Sequence, residues 1–159
     1  MSDSTYVHPD SNDLWQQGLL LSHEFSQLEG RQPRVLVGNS IKISQQVIRK
    51  VCSSLADMGF NVDVAPVLGS FDELATQCLE NDADVLLILG AEHITRTELT
   101  NLAKKVSFLK PETLKALTFQ SPESIVNSET LRELYQIFPE DSDPVEISFA
   151  LLKILMSID

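Results

Sequence analysis

Glu92 and His93 are the two neighbouring side chains best placed to do chemistry in this sequence. They follow the apolar run 84–89, in a loop that we expect at the carboxyl edge of a sheet, where ligands of parallel sheets bind. A carboxylate beside an imidazole can act as a general base or form half of a metal site. Adjacent side chains usually diverge, and no motif marks a serine or cysteine nucleophile. We therefore predict a surface loop, with a small-molecule sensor or minor enzyme as the alternative.

The cysteines and the polar turns predict no catalytic residue and no metal site. Cys52 and Cys78 lie in apolar periodic segments without Cys-x-x-Cys spacing, which favours buried free thiols in a reducing compartment. The turn at 38–40 lacks the glycine-rich run and the Lys-Ser/Thr pair that hold a nucleotide phosphate. A phosphate-accepting receiver domain needs clustered aspartates after its first and third strands, but Gly38, Asn39 and Gly90 stand there.

The charge of the chain excludes two classes of partner. The 159 residues contain 12 Lys and Arg against 23 Asp and Glu, a formal net charge of −11. Such an acidic surface repels phosphate backbones and anionic lipid, so we expect no nucleic-acid partner and no membrane partner. No basic, apolar or Arg-rich targeting segment is recognisable at the N-terminus, and we predict a cytoplasmic protein.

The elements that must position these residues alternate along the chain. We predict a disordered tail over 1–12, a helix over 13–29 that Asp13 caps and Gly30 ends, and an α/β domain over 30–159. Short apolar runs predict strands, and amphipathic segments between them predict helices, the last of which starts at Pro144. The predicted strands cover residues 34–37, 61–64, 84–89, 116–119 and 137–138. This alternation indicates a three-layer, doubly wound parallel sheet, with candidate ligand loops at 38–44, 66–69 and 90–94.

Three segments, Gly30–Val37, Leu55–Pro66 and Ala75–Asp84, carry a resemblance to a known family. Together they resemble the cobalamin-binding domain of methylmalonyl-CoA mutase, and the ending Ile137–Pro144 before a final helix is also similar. The resemblance extends from about Gly30 to the C-terminus. It implies a flavodoxin-like sheet of five parallel strands in the order 2-1-3-4-5.

The cobalamin motif of that family is absent from this sequence. In the family, an Asp-x-His-x-x-Gly motif follows the first strand: the His binds cobalt, the Asp polarises the His, and the Gly makes room for the nucleotide tail of the cofactor. The corresponding positions here are Lys42, Ser44 and Val47, and a shift of one residue would put Gln45 in place of the His. Neither a hydroxyl nor an amide replaces an imidazole as a ligand of a transition metal. The resemblance therefore implies a degenerate copy that does not bind cobalamin.

The family's later channel elements, Ser-x-Leu and Gly-Gly, are not matched either. They fall near 90–92 and 120–121, and Glu92 would bring a negative charge toward the phosphodiester of the tail. Binding of the cofactor without a protein ligand is the alternative. Heme-binding relatives of the fold also leave His93 open as a heme ligand.

A scaffold with a lost site predicts a non-catalytic protein. The mutase family includes heterodimers in which one subunit carries a non-binding copy of this domain, and the chain lacks the barrel that holds the acyl-CoA. The resemblance thus implies a companion, regulatory or assembly module without a cofactor, whose partner is a protein such as a mutase subunit or a second copy. The alternative is a small-molecule or heme sensor, or a minor enzyme, that uses the vacated cleft near Gly90, Glu92 and His93.

Overall fold

The sheet is parallel throughout and has five strands. The structure, a computed structural model, describes residues 11–39, 43–66, 71–119, 129–139 and 141–157. The strands are β1 (Arg34–Asn39), β2 (Asn61–Val64), β3 (Val85–Leu89), β4 (Leu114–Phe119) and β5 (Gln136–Pro139). They pair in the order β2-β1-β3-β4-β5, which confirms the predicted doubly wound, flavodoxin-like architecture.

Helices connect the strands and cover both faces of the sheet. They are α1 (Ser11–Glu29), α2 (Gln45–Asp57), α3 (Phe71–Glu80), α4 (Arg96–Leu109), α5 (Glu129–Leu134) and α6 (Pro144–Ser157), with a 3₁₀ turn at Ala91–His93. Within the described residues, no helix combines the length and apolar composition needed to cross a bilayer.

Each face of the sheet buries its own core because side chains alternate along a strand. On one face, Leu36, Leu86 and Leu117 pack against α3, α4 and α5. On the other, Val37 and Leu87 pack against α2 and α6. All five residues of β3 are buried, as expected of a central parallel strand covered on both sides.

Helix α1 lies outside the three layers and packs mainly on α6. It approaches the end of α2 closely, since a Cβ added to Gly18 would overlap the Met58 side chain and one added to Gly59 would overlap Ser22. The helix begins at Ser11, two residues before the predicted start at Asp13, and ends at Glu29 as predicted. Residues 1–10 of the predicted tail lie outside the described residues.

A polar network joins the segments at the amino edge of the sheet. Arg31 makes two hydrogen bonds to the Asp84 carboxylate, at 2.7 and 2.9 Å, and the backbone N–H of Arg34 donates to the same group at 2.8 Å. The buried Lys110 donates to the Ala83 carbonyl at 2.8 Å. These bonds fix the segment before β3, and therefore the register of the central strand.

Candidate functional site

The candidate site lies at the carboxyl edge of the sheet, between β1 and β3. From β1 the chain continues to β2 on one side, whereas β3, β4 and β5 follow on the other. This reversal makes the gap between the ends of β1 and β3 the topological switch point, where ligands of such folds bind. β1 ends at Asn39, its register partner Leu89 ends β3, and Gly90 follows.

Gly90 closes this edge together with Ile43 and Thr118. Its φ of 71° lies in the left-handed region that glycine adopts without strain, and its N–H donates to the Thr118 hydroxyl at 3.0 Å. A Cβ at this position would overlap the Ile43 side chain. Ile43, a buried residue of the β1–α2 loop, therefore fills the space directly above the end of β3.

Ser44 is the N-cap of α2. Its backbone is extended (φ −69°, ψ 145°), and its hydroxyl accepts a hydrogen bond from the backbone N–H of Val47 at 3.2 Å. Gln45, the first residue of the helix, is exposed. Lys42, the remaining position of the degenerate motif, lies outside the described residues.

Glu92 and His93 lie in the 3₁₀ turn after β3 and contact one another. The Glu92 Oε2 and His93 Nε2 atoms are 3.4 Å apart, and the side chains are 14% and 30% exposed. The expectation that the two side chains diverge is therefore wrong: the carboxylate and the imidazole approach each other although the two residues are adjacent in the chain. Among the described residues, no three His, Cys, Asp or Glu side chains lie close enough to hold a metal ion.

A pocket of about 140 Å³ opens at the same edge, between α2 and α6. Its walls are mainly apolar, and Lys50 is the one charged residue among the described side chains that form them. Glu92 and His93 are not among these residues, so the pocket is a different place from the cleft expected near that pair. The pocket is lined by Val47, Lys50, Val51, Leu89, Thr118, Ser142, Pro144 and Ile147.

Asn39 carries an unusual pair of buried polar atoms. The residue is 8% exposed, and its Oδ1 and Nδ2 atoms make no hydrogen bond to any described residue. Because β1 alternates, Asn39 shares a sheet face with Val35 and Val37, which face α2 and α6. This is also the face of the pocket. An unpaired buried amide costs free energy, and in native proteins such groups usually have a partner.

Sequence reasoning included Asn39 and Ile43 in the candidate loop 38–44 without giving either a role, and it missed Lys50 and Thr118 as parts of this edge. Ile43 and Lys50 carry no motif signal, whereas Asn39 and Thr118 stand out as uncharged polar residues toward the ends of strands with apolar centres. That pattern was the available signal, because a buried polar strand residue needs a partner.

Comparison with known proteins finds sequence similarity to methylmalonyl-CoA mutases. The chain is 36% identical over 92 residues to the methylmalonyl-CoA mutase large subunit of Propionibacterium freudenreichii. The aligned stretch covers 53% of this chain and 13% of the relative. It is 33% identical over 96 residues to the mitochondrial methylmalonyl-CoA mutase of Homo sapiens, covering 58% of this chain and 12% of the relative. The chain thus spans about one eighth of the length of these curated relatives. No family model matches it.

A solved structure supports the fold alone. A pilus assembly protein (cpaE) from Burkholderia thailandensis superimposes with a TM-score of 0.59 at 19% identity, over 80% of this chain and all of the other. At that identity, the likeness concerns the arrangement of strands and helices. The similarity to part of the mutases is a likeness in sequence.

Proposed function

We propose that this chain is a non-catalytic, cobalamin-domain-like protein that does not bind cobalamin and acts as a companion module of a methylmalonyl-CoA mutase. The observation that carries the proposal is the role of Ser44. The residue in the place of the cobalt-binding His is the helix cap of α2, and its hydroxyl is already engaged by the N–H of Val47. A capping hydroxyl of this kind offers no ligand to cobalt.

Two further features support the loss of cofactor binding. Ile43 fills the space above Gly90 at the switch point. Val47 stands where the family's glycine makes room for the nucleotide tail, and its side chain forms part of the wall of the 140 Å³ pocket. A cavity of about 150 Å³ holds one benzene ring, so this pocket is too small for a nucleotide.

The companion role rests on the sequence similarity and on the exposed edge of the sheet. The similarity to mutase large subunits suggests a place within that assembly, where the family pairs binding and non-binding copies of this domain. β2 is one of the two edge strands of the sheet, with β5 at the opposite edge, and no described strand pairs with its outer side. Val64 at its end is 51% exposed. An open edge strand with an exposed aliphatic side chain favours pairing with another chain.

The first experiment is a titration with adenosylcobalamin and with hydroxocobalamin. We expect no change in the visible spectrum of either cobalamin and no rise in the melting temperature of the protein. A mutase large subunit serves as the positive control. Saturable binding of either cobalamin at micromolar concentration would contradict the loss of the cofactor.

The second experiment tests the partner. The chain is mixed with a mutase large subunit, and the mass of the eluting species is measured by size-exclusion chromatography with light scattering. We expect a mixed complex that Val64→Lys disrupts, since a lysine on an edge strand opposes strand pairing. Leu79→Lys, at a similarly exposed position on α3, is the matched control and should leave the complex intact. Elution of both proteins at their separate masses, or a self-association of this chain alone, would contradict a mutase partner.

The contact between Glu92 and His93 favours a second candidate function, a small-molecule or heme sensor. An imidazole 3.4 Å from a carboxylate and 30% exposed is positioned to meet a ligand. Under this alternative, a thermal-shift screen with metabolites and heme finds a stabilising ligand, and His93→Ala removes the response. Under the companion role, His93→Ala leaves capture of the mutase subunit unchanged.

A further inference from the structure

We infer that the pocket between α2 and α6 binds a small organic carboxylate whose apolar body is about the size of one benzene ring. The inference rests on the size of this pocket, on the charge of Lys50 and on the unused hydroxyl proton of Thr118. It stands apart from the proposed function, because it requires neither the mutase partner nor the absence of cobalamin.

The walls and the volume set the apolar part of the ligand. Val51, Leu89 and Ile147 are the buried apolar residues of the lining, and Val47 and Pro144 complete the apolar part of the wall. A volume of about 140 Å³ compares with the apolar cavity of about 150 Å³ that accepts benzene in a different protein. The ligand is therefore a ring or a short branched chain. The pocket is too small for a nucleotide or a longer acyl chain.

The charge of the pocket sets the polar part of the ligand. Lys50 is exposed and forms part of the wall, and no described carboxylate lies within salt-bridge distance of its ammonium group. The protein as a whole has a net charge of −11, so long-range electrostatics do not attract an anion. Recognition of a carboxylate here depends on this local cation.

One hydrogen-bond donor in the wall of the pocket also lacks an acceptor. The buried Thr118 hydroxyl accepts from the N–H of Gly90, and no described group accepts the hydroxyl proton in turn. Thr118 is 3% exposed, so this hydroxyl is more than nine-tenths buried. The unpaired Asn39 amide lies on the same sheet face, but Asn39 is not one of the residues that line the pocket. An unused donor in a wall that also carries a cation is complementary to a carboxylate, which only accepts hydrogen bonds.

Benzoate is the probe, and an NMR titration of the isotope-labelled chain is the measurement. A ligand of about nine heavy atoms binds in the low millimolar range at ordinary ligand efficiency. We expect saturable shifts centred on the amides of Val51, Leu89 and Ile147. Benzamide, which has the same shape without the charge, should bind more weakly.

Three variants decide the assignment. Lys50→Gln should weaken benzoate binding about fivefold, the usual effect of losing one exposed ion pair, whereas Lys104→Gln on α4, across the sheet, should not change it. Val47→Phe should abolish binding, because a half-exposed helix position lets the ring enter the pocket without disturbing the core. The melting temperature of each variant verifies that it folds. Absence of saturable shifts at about 20 mM benzoate, or equal affinities of the Lys50 and Lys104 variants, would overturn the inference. The cobalamin titration is unaffected by either result.

Discussion

Replacement of Gly90 by Ala tests how tightly Ile43 closes the carboxyl edge of the sheet. Gly90 and Gly30 have nearly the same positive φ, 71° and 75°. They differ in their surroundings: a Cβ at Gly90 overlaps Ile43, whereas one at Gly30 has no atom within 4 Å. The pair of variants therefore separates backbone strain from the contact.

The expected costs follow from these two contributions. Left-handed backbone costs an alanine about 1–2 kcal/mol, so Gly30→Ala should lower the free energy of unfolding by that amount. Overpacking against a buried side chain adds about 1–3 kcal/mol, so Gly90→Ala should lower it by about 2–5 kcal/mol. In an Ile43→Ala background the overlap disappears, and the Gly90 substitution should then cost only the backbone contribution.

Urea unfolding followed by circular dichroism gives the four free energies of this double-mutant cycle and that of the Gly30 control. A coupling energy of about 1–3 kcal/mol between positions 43 and 90 is expected. If Gly90→Ala and Gly30→Ala cost the same, or if the coupling is zero, Ile43 does not press on Gly90. Such a result would refute the inference that Ile43 fills the space above Gly90 at the switch point.

Three further predictions concern stability. Ser44→Ala should cost about 1 kcal/mol through loss of the α2 cap, whereas Ser53→Ala, exposed in the same helix, should cost less than about 0.5 kcal/mol; equal costs would refute the capping role. Burial raises the pKa of Cys78 to about 11. The folded state therefore favours the neutral thiol, a contribution to stability that is complete below about pH 9 and is lost as the pH rises to about 11. Over this range, the free energy of unfolding of the wild type should fall by about 2 kcal/mol more than that of Cys78→Ala in urea titrations. Parallel pH curves of the two proteins would contradict this. Lys110→Met should cost only about 1–2 kcal/mol in the same assay because the Ala83 carbonyl keeps a second donor, and a loss above about 4 kcal/mol would indicate a larger role for the ammonium group.

Most of the fold was predictable because its signals are local. The strand at 61–64 has the predicted bounds, since polar and apolar residues alternate there and Gly59 ends the preceding helix. Gly30 ends α1 as expected of a glycine with positive φ. The apolar run predicts a start of β4 at Ala116, two residues after the observed start at Leu114, because the charged Lys115 interrupts the run.

The candidate site was predictable only in part because its components are distant in sequence. The switch-point loops followed from the topology, and Ser44, Glu92 and His93 were found within them. The pocket was not predictable because it depends on the distance between α2 and α6 over the sheet. These two helices are far apart in the sequence, and no local pattern indicates how closely they pack. The packing of Ile43 on Gly90 likewise joins two loops, and no periodic pattern records such a contact.

The packing of α1 on α6 has a consequence for biosynthesis. Among the described elements α1 is the first along the chain and α6 the last, so the side of α1 that packs on α6 is covered only once residues 144–157 are available. An isolated helix of 19 residues is marginally stable in water, and domains generally complete their packing as a unit. During translation, α1 therefore completes its packing only after residues 144–157 have been synthesised.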